Sequence, residues 1–159
     1  MTRTLILYYS RTGTTAAVAD ELAGLLSADV EQIQELKDRR GPIGFVVACL
    51  DALRKRPSPI APLARNPHNY QVLIFGTPVW SYTLAPAVRT ALEQCRRAGA
   101  DVAFFCTMGS SGHRRTFVDM QALAGRPPLA TLALTQKHIR KGAHAAALAD
   151  FAARLKSAL

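Results

Sequence analysis

The chain has 159 residues, 49% of them hydrophobic and 19% charged, which suits one folded domain over residues 1–159 and excludes a disordered chain or a disulfide-dependent scaffold. Net charge is +9, unevenly spread: residues 1–40 carry five basic and six acidic side chains, and the remaining 119 carry fifteen against five. No apolar run nears the ~20 residues that cross a bilayer, and the first residues lack a signal peptide's apolar stretch, so a cytoplasmic location without a membrane span is expected.

In chain order, Leu5 to Tyr9 forms a nearly unbroken apolar run, the pattern of a strand buried on both faces of a parallel sheet. Ser10 to Thr15 leads from it into a helix whose apolar face is Val18, Leu22, Leu25 and Leu26. Asp29 to Ile33 is a more polar strand, expected nearer an edge. Ile43, Val46, Val47, Leu50 and Leu53 mark a second helix packed on the sheet, a dimer contact through Gly41 to Leu53 being the alternative. The Pro-rich Arg56 to Asn69 reads as a long loop. Val72 to Phe75 is a further buried strand, followed by a loop from Gly76 to Tyr82 and a helix facing inward through Val88, Ala91, Leu92 and Cys95. Val102 to Cys106 is the next strand, with a loop from Thr107 to Arg115 and a shorter helix over Phe117, Met120 and Leu123. Leu129 to Thr135 completes five strands, and Leu148, Phe151, Ala152 and Leu155 face inward from the last helix. Lys137 to Lys141 reads as a solvated basic loop. Strand and helix alternate throughout, which argues for a doubly wound α/β fold with right-handed crossovers and helices on both faces.

In such a sheet ligands sit beyond the carboxyl ends of the strands, and three loops there carry chemistry. Ser10, Arg11, Thr12, Thr14 and Thr15 surround Gly13 just where a helix begins. Free N–H groups and the helix dipole both favour an anion at that point. A plain cap needs one hydroxyl, and this loop supplies four. The triphosphate loop GxxxxGK[ST] is absent, as is GxGxxG after a strand. Thr77, Pro78, Val79 and the single Trp80 follow the third strand, where an aromatic ring in an exposed loop suits stacking on a flat cofactor, local packing being the alternative. Thr107, Met108, Gly109 and Ser110 follow the fourth, where glycines let backbone N–H groups approach a ligand edge.

A phosphate, a flat ring to stack and a polar ring edge together describe flavin mononucleotide (FMN). The pattern Ser10-x-Thr12-Gly13-x-Thr15 after an apolar strand resembles the phosphate loop of flavodoxins. The segments Gly76 to Trp80 and Thr107 to Gly112 resemble the two ring-binding loops of the small, single-domain bacterial flavodoxin-like family. The likeness covers nearly the whole chain, including Gly44-Phe45 through Leu53 and Leu132-Ala133-Leu134. It implies a five-stranded parallel sheet in the order 2-1-3-4-5 with FMN at the switch point between the first and third strands. It further implies that Ser10 to Thr15 hold the phosphate, that Thr77 to Trp80 flank the ring, and that Thr107 to Ser110 face its pyrimidine edge.

The chain departs from acidic flavodoxins in the sign of its charge. His113, Arg114 and Arg115 follow the third loop, and cations near the ring favour reduced flavin and raise its potential, unless Arg114 and Arg115 simply face water. The expected function is an FMN-binding redox protein passing electrons between a reductant and a quinone-like or protein acceptor. The partner is a redox protein, or else NAD(P)H with a small acceptor in an FMN-dependent quinone reductase. A basic nucleic-acid or protein binding module without flavin is the alternative of another class. Cys49, Cys95 and Cys106 lack metal-ligand spacing, as do His68, His138 and His144, and Cys106 reads as a buried small hydrophobe.

Overall fold

The computed structural model describes residues 2–159. Its elements are β1 (Thr4–Tyr8), α1 (Thr14–Leu26), β2 (Asp29–Gln32), α2 (Gly41–Leu53), β3 (Val72–Trp80), β4 (Thr83–Leu84), α3 (Pro86–Cys95), β5 (Asp101–Met108), α4 (His113–Ala124), β6 (Thr131–Thr135), α5 (Gln136–Arg140) and α6 (Ala145–Ala158). Five strands pair in the order β2-β1-β3-β5-β6, all parallel, which is the expected order with β4 added at the side of β3.

The apolar runs of β1, β3 and β5 send alternate side chains to opposite faces, because strand side chains have period two. Leu5, Leu7, Leu73, Phe75 and Phe104 enter one core layer, covered by α2, α3 and α4. Ile6, Ile74, Ala103 and Phe105 enter the other, against Val18, Ala19 and Leu22 of α1 and Leu148, Phe151 and Leu155 of α6. Gly76 is required where β3 runs beside β5, opposite Phe105: a Cβ there would stand 2.1 Å from the Phe105 ring.

Four sequence expectations need correction. Gly76 to Tyr82 is not a loop, since β3 runs on to Trp80, pairing as far as Pro78 with Thr107, and then turns back into β4. Ser81 and Tyr82 at the turn have φ of 50° and 63°, the backbone of a tight hairpin turn that ordinarily shows itself as Asn-Gly. Thr107 and Met108 likewise belong to β5 rather than to a loop. Lys137 to Arg140 is helical within α5, although Lys137, His138 and Arg140 are exposed as expected.

The fourth correction concerns α2, whose expected inner face points outward. Ile43, Val46, Leu50 and Leu53 are exposed, while Ala48, Asp51 and Ala52 are buried. Small residues set this orientation: Gly44 lies so close to Arg39 that a Cβ would stand 2.4 Å from its carbonyl carbon, and the alanines let α2 settle closely on the sheet. The segment from Arg56 to Asn69 is pinned rather than free. The Glu31 carboxylate accepts from the amides of Ala64 (2.6 Å) and Arg65 (2.9 Å), and Ile60 bridges to Glu35.

Candidate functional site

The first turn of α1 is the centre of the site. Gly13 takes a left-handed conformation (φ 95°) that starts the helix, and the Ser10 hydroxyl accepts the Gly13 N–H at 3.0 Å, curling the loop. No side chain caps the helix and no acidic residue lies in its first turn, so its positive end is electrostatically unanswered. Thr12 is exposed and Thr14 half-buried, whereas Thr15 is buried with its hydroxyl 2.8 Å from that of Thr107 at the end of β5.

A cleft of about 90 Å³ opens beside this turn, with Thr15 and Thr107 at its base and Pro78 and Trp80 on one side. Phe45 from α2 and Gln136 at the start of α5 also line it, two residues that no local motif announced. A neighbouring cleft of about 390 Å³ runs between Tyr9 to Thr12 and Arg39 to Gly41. The two share Ser10, Arg11 and Thr12.

Arg11 turns sideways. Its Nε donates to the Arg39 carbonyl (3.3 Å) and Nη2 to that of Gly41 (3.4 Å), and its guanidinium lies 5.2 Å from the centroid of the Phe45 ring. It therefore straps the loop to the start of α2.

Trp80 is not an exposed loop aromatic. It is buried, with the Tyr9 ring edge-on at 5.5 Å and the Arg39 guanidinium 6.0 Å from its centroid, so only part of it reaches the cleft. Thr77 is fully buried: its hydroxyl donates to the Pro78 carbonyl (2.8 Å) and accepts the Ala85 amide (3.0 Å), which fixes the hairpin and the start of α3. Pro78 and Val79 are half-buried. Gly109 and Ser110 are exposed in an open turn, while Met108 is buried. Gly112 brings this turn against the hairpin, since a Cβ there would stand 2.8 Å from Val79 and 3.1 Å from Tyr82. Of the two segments expected at a ring, Pro78, Trp80 and Thr107 line the cleft beside the α1 turn, whereas Thr77, Val79, Met108, Gly109 and Ser110 do not.

Beneath the clefts lies a buried ionic cluster absent from the sequence expectations. Arg39 pairs with Glu35, and its Nη2 is 3.1 Å from Asp51 Oδ2 without hydrogen-bond alignment. Lys37 donates to Asp51 (2.6 Å) and the Ser58 hydroxyl to Glu35 (2.7 Å). Burial, reinforced by the Glu35 carboxylate, pushes the Tyr9 phenol above its ordinary value, so Tyr9 remains a neutral hydroxyl at physiological pH.

Arg114 and Arg115 are exposed in the first turn of α4, next to half-buried His113. Burial pushes the Cys106 thiol up to about 12, which leaves it inert at neutral pH. Among the described residues no group of three His, Cys, Asp or Glu side chains is placed to hold a metal ion, and no helix is long and apolar enough to cross a membrane.

A protein-family model described as Flavodoxin matches residues 3–128. The fold is similar to that of a flavoprotein from Lactobacillus acidophilus solved in complex with FMN, at 23% identity over 89% of this chain and 98% of that one, with a TM-score of 0.74. It is also similar to a two-electron reduced flavodoxin from Megasphaera elsdenii (19% identity, 95% and 98% covered, TM-score 0.60). An oxidised flavodoxin from Bacillus cereus aligns over 99% of both chains at 16% identity, with a TM-score of 0.59. No curated protein matches.

Proposed function

This chain belongs to the flavodoxin family, and from that premise we propose that it is an FMN-binding redox protein passing electrons between a reductant and a quinone-like or protein acceptor. The observation that carries the reading is the uncapped, hydroxyl-rich first turn of α1 opening on a cleft walled by Pro78 and Trp80. Helix N–H groups and hydroxyl donors are the chemistry that a phosphate ester needs. Thr12, Thr14, Thr15 and the first-turn amides would hold the phosphate, with Ser10 and Gly13 shaping the turn and Arg11 bracing it. Pro78, Val79 and the accessible part of Trp80 would flank one side of the ring, and the open backbone of Gly109 and Ser110 would face its pyrimidine edge. Thr77, Thr107 and Met108 support these segments from within.

Bound FMN supplies one- and two-electron chemistry at its ring, and the chain's work is to bind, orient and tune it. Arg114 and Arg115 place positive charge beside the Gly109 to Gly112 turn, which favours reduced flavin and a higher potential than acidic surroundings give. The buried hydroxyls of Thr77 and Thr107 tie down the hairpin and the end of β5.

Titrating the flavin-free protein with FMN tests the reading: flavin fluorescence should be quenched to a saturating end point at one FMN per chain. Absence of saturable uptake overturns it. Steady-state turnover of NAD(P)H with a quinone and no second protein would assign the reductase activity, whereas reduction only through a partner protein would assign the carrier.

A further inference from the structure

Helix α2 is inverted relative to an ordinary surface helix. Its single charged residue, Asp51, is only 8% exposed and points inward to Lys37 and Arg39. Its outward stripe is aliphatic: Ile43 is 81% exposed, Val46 55%, Leu50 43% and Leu53 53%. The spacing of three, four and three places these four side chains along one line of the helix.

The stripe continues onto neighbouring elements. The Ser81 hydroxyl donates to the Cys49 carbonyl at 3.0 Å, which sets the exposed Tyr82 beside α2, and Lys55 pairs with Asp119 at 3.1 Å, joining the end of α2 to α4. Arg54 and Arg56 are exposed just beyond α2, and Arg114 and Arg115 on α4. Asp38, the exposed carboxylate near the start of α2, is answered by Arg40 at 2.9 Å. The face is therefore an aliphatic strip with a cationic border.

We propose that this face docks on the surface of an anionic lipid bilayer, with α2 lying in the plane of the headgroups. Thirteen residues make a helix of about 20 Å, too short for a hydrocarbon core of about 30 Å, so α2 lies on the membrane and does not cross it. Aliphatic side chains bordered by Arg and Lys are the chemistry of interfacial helices, in which apolar burial and attraction to anionic headgroups act together. A second copy fits less well, because pairing this face with itself sets cations against cations. A protein partner fits less well because the α2 strip itself offers only methyl groups, with Tyr82 standing at its edge. Phe45, which lines the cleft, is on the same helix, so docking would bring the candidate site close to the lipid surface.

The test is co-sedimentation of the full chain, with no flavin added, with vesicles of phosphatidylcholine alone or containing about 30% phosphatidylserine. Its failure therefore leaves the FMN reading untouched. The protein should partition onto the anionic vesicles and be released at about 0.5 M salt, where charge attraction is screened. The double variants Ile43→Gln/Leu53→Gln and Arg54→Glu/Arg56→Glu should each weaken partition about tenfold or more while keeping the parent circular dichroism. Equal binding by the Ile43→Gln/Leu53→Gln variant reduces the effect to non-specific charge and overturns the proposal. So does absence of partition at low salt, and so does a dimer in sedimentation velocity that Ile43→Gln breaks, which would assign the face to a second copy.

Discussion

The hydroxyl of Thr15, in the first turn of α1, lies 2.8 Å from that of Thr107, at the end of β5. This buried bond ties the candidate phosphate cradle to the strand that carries the Gly109 turn, so cradle and ring site share one support. Thr15→Val leaves the Thr107 hydroxyl buried without its partner and should cost about 1–3 kcal/mol of stability in urea unfolding. It should also weaken FMN about ten- to a hundredfold, with Thr15→Ser restoring both. A Thr15→Val protein that binds FMN like the parent counts against the cradle.

Trp80 acts mainly as core. Truncation to Ala should cost about 3–5 kcal/mol of stability, because it empties the space between Tyr9 and Arg39. Trp80→Phe retains most of the packing and, since Trp80 reaches the cleft only in part, should change FMN affinity by no more than about threefold. A much larger loss with Trp80→Phe would mean that the indole is stacked on the ring.

Gly76→Ala should destabilise the protein. The new methyl would stand 2.1 Å from Phe105, itself buried between β3 and the α1 and α6 layer, and overpacking of that kind costs about 1–3 kcal/mol or more. Thermal unfolding of the apoprotein measures it, and a midpoint equal to the parent's would show that the Phe105 ring gives way more easily than its burial implies.

The sheet was legible because buried parallel strands are continuous apolar runs, and Leu5 to Tyr9, Val72 to Phe75 and Val102 to Cys106 have no other easy reading. The cradle was legible because Ser10 to Thr15 is contiguous. The orientation of α2 was not, for its sequence holds two stripes of helical spacing: Ile43, Val46, Leu50 and Leu53 outside, and Gly44, Ala48 and Ala52 inside. Periodicity finds a stripe but does not say which one faces the sheet, and here close approach by small residues decided it. The hairpin was hidden because Pro78 reads as a loop and Ser81-Tyr82 lacks the glycine that marks such a turn. Phe45, Gln136 and the Arg39 cluster reach the clefts from distant segments, so spacing could not reveal them.

Stability should fall on acidification through loss of two carboxylates. The hydrogen bond from Lys37, together with Arg39, holds Asp51 below the ordinary value despite partial burial. Burial pushes the Asp119 carboxyl up, but hydrogen bonds from Thr83 and Lys55 outweigh it and the net shift is downward. A carboxylate depressed in the folded state stabilises it above its unfolded value of about 3.9, and the contribution disappears as pH falls through the lower folded value. Unfolding free energy should therefore decline below about pH 4. Asp51→Asn should lower stability by about 1–3 kcal/mol at pH 7 and flatten that acid limb; an unchanged limb would move the acid sensitivity elsewhere.

The most direct test of the central claim compares FMN with riboflavin by calorimetric titration of the flavin-free protein, since the two differ only in the phosphate that the α1 turn is held to bind. One FMN should bind per chain, and riboflavin about a hundredfold more weakly, or by about 2.7 kcal/mol. Equal affinities, or no binding of either, would contradict that claim.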